Sequence, residues 1–152
     1  KGDIMRRVMG VLTFFLLVNT LIFCSTNSNN KEKNMKETRI KMSFEKKEVI
    51  IKFFNNKTSK DFLSQLPKTL EFEDFARAEK IAYLDRKLTI DKISSAKETS
   101  DFCYYAPWGN LAIFYKGYGT DSGLVKLGLI ESGKENLIKI KDGDKVTLEI
   151  IK

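Results

Sequence analysis

From residue 39 onward the chain is a succession of short runs in which apolar and polar residues alternate, and this period-two pattern limits the possible folds more than any other feature. Ile40, Met42 and Phe44 alternate with Arg39, Lys41 and Ser43, the pattern of a strand with one buried face. Glu45-Lys46-Lys47 turns the chain into a run over 48–55 that is apolar on both faces, at Val49, Ile50, Ile51, Phe53 and Phe54, as a strand inside a sheet would be. Further strands are predicted over 69–73 (Leu70 and Phe72 inward), 79–83, 101–105, 111–116, 124–131 and 146–151. One helix is expected over 58–66, with Thr58 as its cap, Asp61 three residues on as in a capping box, and Pro67 as its stop. Residues 84–100 read as a polar surface excursion, and 135–138 as a single helical turn. Eight short, apolar strands with few long crossovers predict an all-β fold: a closed antiparallel barrel, which leaves no exposed edges, with the helix plugging one end.

The stretch 101–128 holds the only Trp, four of the five Tyr and five of the nine Gly. Glycine lets backbone approach closely and aromatic faces supply area, so bulky rings beside glycines suggest a walled pocket. The candidate ligand-binding residues are Tyr104, Tyr105, Trp108, Asn110, Phe114 and Tyr118, since aromatic walls with a few polar groups are the usual make-up of such sites. Strand alternation limits the set: Tyr104 and Tyr105 must face opposite sides, as must Phe114 and Tyr115. The same rings could instead fill a small barrel, with Pro107-Trp108-Gly109-Asn110 a tight turn. For catalysis the only pair to nominate is Glu79 with Arg86. The glycines at 117, 119 and 123 are not a phosphate loop, because the Gly-Lys-Ser/Thr ending and the following helix are missing.

There is no histidine, which excludes Ser-His-Asp and Cys-His catalysis and the usual His-bearing metal sites. No metal site and no cofactor is expected. The net charge is +7, from 27 basic and 20 acidic residues, but the lysines are spread along the chain and an export signal argues against a nucleic-acid partner. That signal is read in residues 1–23: Met5-Arg6-Arg7, then an apolar run over 8–23, then an abrupt polar turn. Lys1 to Ile4 are read as upstream residues. Leu21-Ile22-Phe23-Cys24 resembles a bacterial lipobox, which would make Cys24 the lipidated first residue of the mature protein; ordinary export and an uncleaved anchor are the alternatives. Residues 24–38 are polar and charged, too poor in apolar surface to order themselves, and suit a tether. The barrel domain is then 39–152. Cys103 falls on a strand and reads as a core thiol.

Glu79-Lys80-Ile81-Ala82-Tyr83-Leu84, Tyr104-Tyr105-Ala106-Pro107-Trp108-Gly109-Asn110 and Ser122-Gly123-Leu124-Val125-Lys126-Leu127-Gly128 resemble the small bacterial and archaeal cyclophilin-like proteins of unknown function, as does Asp61-Phe62-Leu63-Ser64-Gln65-Leu66-Pro67. The resemblance runs from about 40 to 151 and implies a compact eight-stranded cyclophilin-type barrel. It does not imply prolyl isomerase activity, whose Arg followed by Phe-x-x-Met-x-Gln is missing here. Arg77-Ala78 and Asp85 stand where such relatives would carry a Gly with a small polar residue, and a Pro. The expected function is an extracytoplasmic, membrane-attached domain that binds a small molecule or an extended peptide. An isomerase-like enzyme acting on envelope proteins and a pocketless interaction module are the alternatives.

Overall fold

The computed structural model describes residues 37–90 and 100–151. The export segment 1–23, Cys24, the tether as far as residue 36, and 91–99 of the surface excursion lie outside the described residues.

The alternation seen in the sequence becomes eight strands: β1 (Arg39–Phe44), β2 (Lys47–Phe53), β3 (Lys68–Phe75), β4 (Glu79–Tyr83), β5 (Phe102–Tyr105), β6 (Asn110–Phe114), β7 (Leu124–Ser132) and β8 (Asp144–Ile151). Helix α1 (Lys57–Leu63) separates β2 from β3, and a 3-10 helix (Lys134–Lys139) separates β7 from β8. All pairings are antiparallel, and the order β1-β2-β7-β5-β6-β4-β3-β8 closes on itself through β8 and β1. The predicted barrel is therefore the observed one.

An eight-stranded barrel is just wide enough for side chains to fill it. Here Ile40, Met42 and Phe44 of β1, Val49, Ile51 and Phe53 of β2, and Leu70 and Phe72 of β3 meet Phe102, Tyr104, Leu111, Ile113, Val125, Leu127, Val146 and Leu148 in one core. Fully burying such a side chain contributes roughly 1.5–3 kcal/mol. Phe62 of α1 enters the same core, stacked on the Phe53 ring at 5.7 Å, and Leu137 and Ile140 join it from the 3-10 helix.

Three local details differ from expectation. The cap of α1 is Asn56, whose Oδ1 accepts from the Ser59 N–H at 2.8 Å; Thr58 lies inside the helix and is buried. The helix ends at Leu63, ahead of the cis Leu66–Pro67 bond. Asp61 forms no capping box and instead accepts from Arg86. The β3–β4 turn also shows how the chain manages without glycine: Ala76 and Arg77 both take the left-handed backbone, with φ of 52° and 53°, in the pattern of a hairpin turn that matches the strand twist. The Arg77 N–H is held by the Asp74 carboxylate.

Candidate functional site

In the sheet order, β4, β6, β5 and β7 are consecutive. Their inward positions fill the barrel, so their outward positions form a second, smaller apolar cluster of Cys103, Ala112 and Leu124, with Tyr105 and Phe114 packed against it. Above this cluster lies a cleft of about 320 Å³, lined by Phe75, Glu79, Ile81, Tyr105, Trp108, Asn110, Ala112, Phe114, Tyr118, Thr120, Asp121 and Leu124. The site is thus on the outer wall of the barrel and not in its interior. Ile81, Asn110, Ala112 and Leu124 are buried and form its floor, whereas Phe75, Trp108 and Tyr118 are exposed and form its rim.

The rim depends on two turns. Ala106 to Gly109 turns β5 into β6, closed by the Gly109 N–H donating to the Tyr105 carbonyl at 2.9 Å, with Gly109 in the left-handed region at φ 78°. This projects Trp108 across the outer face, edge-on to Tyr105 at 5.3 Å and to Phe75 at 5.8 Å. The loop between β6 and β7 forms the other wall. A Cβ on Gly119 would come within 2.7 Å of the Phe114 ring, and one on Gly123 within 2.7 Å of Tyr105, so here only glycine lets the loop lie against the rings.

Of the residues nominated from sequence, Glu79, Tyr105, Trp108, Asn110, Phe114 and Tyr118 meet at this cleft. Tyr104 does not: it alternates inward with Phe102, is fully buried, and its hydroxyl accepts from the Leu88 N–H at 3.2 Å. Arg86 and Glu79 are not partners. Arg86 donates to Asp61 of α1 at 2.5 Å and 3.1 Å, away from the cleft lining, and this bond, with that from the Thr89 N–H, holds the Asp61 carboxyl well below the usual carboxylate range. Phe75 was missed, although carrying the β3 alternation past Leu70 and Phe72 would have placed it on the outer face. Asp121 and Thr120 had no sequence signal.

The polar chemistry of the cleft is one-sided. Glu79 forms no side-chain hydrogen bond or ion pair among the described residues, and burial raises its carboxyl above the ordinary value. Asn110 is 1% exposed; its Nδ2 donates to the Leu111 carbonyl at 2.8 Å, and its Oδ1 is buried with no partner. Beneath the cleft, burial above all pushes the Cys103 thiol up to about 11, which makes it an unreactive core group as read from sequence. Among the described residues no cluster of three or more Cys, Asp or Glu could hold a metal.

A polar group that the sequence did not single out lies at the other side of the sheet. Lys80 alternates inward from Glu79 and is 2% exposed, and its ammonium donates to Asp74 at 2.5 Å and to the Ile140 carbonyl at 2.7 Å, 5.4 Å from the Tyr115 ring centre.

Comparison with known proteins bears on the fold. The model of a family described as the cyclophilin-like family matches residues 42–150. No curated protein matches the chain. Among solved structures, a hypothetical protein from Archaeoglobus fulgidus, determined in solution, is similar with a TM-score of 0.58 and 19% identity, over 74% of this chain and 94% of that one. At that identity the likeness concerns the fold alone.

Proposed function

Because the chain belongs to the cyclophilin-like family, with the match covering nearly the whole barrel, we propose that it is a binding domain whose outer-wall cleft holds a small molecule or a side chain of an extended peptide. The observation that carries this reading is the cleft itself: about 320 Å³, five aromatic rings and two polar groups, the Glu79 carboxylate and Asn110 Oδ1, without a hydrogen-bond partner among the described residues. Pockets for small organic ligands have this composition and begin at about this size. The residues 5–24 support a place outside the cytoplasm, with Cys24 or an uncleaved signal as the attachment to a membrane. The binding reading is preferred to an isomerase-like one because Arg86, the arginine nominated for that chemistry, is engaged by Asp61.

Trp108 is the only tryptophan, so its emission reports on the cleft directly. The test is a metabolite and peptide screen on the full chain, reading melting temperature and Trp108 fluorescence together, beside Trp108→Ala. A compound that raises the melting temperature of the wild type and not of the variant, and that moves the emission, supports the reading. A screen in which stabilising compounds leave Trp108 emission unchanged would point to an interaction module that does not use the cleft.

A further inference from the structure

The chain carries 27 basic residues, yet among the described residues no lysine or arginine lines the cleft, while two carboxylates do, Glu79 and Asp121. The amide of Asn110 is fixed in orientation, because only its nitrogen can donate to the Leu111 carbonyl. The atom left over, buried and without a partner among the described residues, is therefore the acceptor Oδ1. A buried acceptor without a donor costs about 1–3 kcal/mol, and a half-buried carboxylate without a counter-charge is likewise uncompensated. The walls between them are ring faces, which carry the negative side of the aromatic quadrupole. A cation at the rim shows the same preference: the Lys134 ammonium lies 5.0 Å from the centre of Tyr118 while it pairs with Asp101.

The strand register separates the two unsatisfied groups. Glu79 stands opposite Phe114 and Tyr83 stands opposite Asn110, four residues along β4 and β6, which at the rise of a strand puts their backbone positions about 13 Å apart. Ile81 and Ala112 lie between them on the floor. From this geometry we propose that the cleft takes an extended aliphatic ammonium ion with a second N–H donor: the ammonium at Glu79, the apolar chain across Ile81 and Ala112 beneath the rings, and the second N–H at Asn110 Oδ1. An anionic ligand would meet two carboxylates, and a neutral apolar one would leave both Glu79 and Asn110 unsatisfied. The chemistry is shared by a free diamine and by a lysine side chain with its own backbone amide. The proposal rests on the cleft being a ligand site.

The experiment titrates the full chain with diaminooctane, diaminopentane, octanediol, octanedioate and a blocked Ala-Lys-Ala peptide, following Trp108 emission and heat of binding. The expected result is binding of a diamine or of the lysine peptide, with octanediol weaker by roughly tenfold or more and octanedioate silent. Whichever of the two binds tighter identifies the source of the ammonium. Glu79→Gln should weaken the ammonium probe by about tenfold and leave octanediol unchanged; Glu79→Asp, which keeps the carboxylate one methylene shorter, is the second variant and should retain the preference for the ammonium over octanediol. Octanediol or octanedioate binding as well as the diamine, with Trp108 responding, overturns the cation assignment and leaves the binding domain standing. No response to any of these probes, when the broader screen does find a ligand for Trp108, also overturns it; silence in both experiments removes the binding reading as well.

Discussion

Two side chains one position apart, Glu79 and Lys80, meet opposite fates, because alternation along β4 sends one to the cleft and the other into the barrel. Lys80 is buried and relies on Asp74. Removing one member of a buried pair strands the other charge, at a cost of roughly 3–5 kcal/mol. Asp74→Asn should therefore lower stability in urea unfolding by several kcal/mol. Lys80→Met should cost less, about 1 kcal/mol from the unmet Ile140 carbonyl, because the partly exposed Asp74 can turn to water. The hydrogen bond from Lys80, foremost, holds the Asp74 carboxyl below its ordinary value. Its contribution is complete above the unfolded aspartate value of about 4 and is lost as pH falls through the folded one. Glu79 has the opposite sign. Burial raises its folded value, so its ionised form weighs against the fold at neutral pH. Glu79→Gln should raise the melting temperature of the free protein at pH 7, and the gain should vanish below about pH 4, where both states are protonated. A melting temperature unchanged at pH 7 would mean that Glu79 is well solvated and that the cleft has no uncompensated charge.

At the scale of elements, α1 has only seven residues, too short to be stable alone, and its position depends on what surrounds it. Asn56 caps it and also donates to the Lys126 carbonyl at 2.9 Å, and Ser59 donates to the Leu127 carbonyl at 3.1 Å, so that β7 holds the first turn. Asp61, in the middle, collects Arg86 and the Thr89 N–H from the segment after β4. Asn56→Ala should cost about 1 kcal/mol through the lost cap. Asp61→Ala should cost roughly 1–3 kcal/mol and, more tellingly, should release protection from hydrogen exchange at the Thr89 amide while β3 and β8 stay protected. Because the Asp61 carboxyl is held low, this link is intact at neutral pH and weakens only in acid, below the ordinary aspartate range.

At the scale of the whole molecule, closure of the barrel rests on β8, which pairs with β1 on one side and β3 on the other. Ending the chain at residue 143 would remove Val146 and Leu148 from the core and open two sheet edges. Each side chain contributes roughly 1.5–3 kcal/mol against a total stability of about 5–15 kcal/mol, so the truncated chain should lose its cooperative thermal transition in calorimetry. The eight strands, the inward faces of β1 and β3, and the opposition of Tyr104 to Tyr105 were all determined by the sequence itself, because alternation is a local consequence of the pleat, whereas β2, apolar on both faces in the sequence, has its inward side chains chosen by the fold. The aromatic content of 101–128 likewise marked most of the cleft. Only the tertiary structure decided the order in which strands pair, and with it three things no local pattern carries. Phe75, from the β3–β4 hairpin, comes to lie edge-on to Trp108; Arg86 finds Asp61, 25 residues away, instead of Glu79; and the outer wall of β4, β6, β5 and β7, not the barrel interior, becomes the place where the rings converge. Alternation assigns each side chain to one of two faces, but which faces become neighbours depends on contacts between residues far apart in the chain.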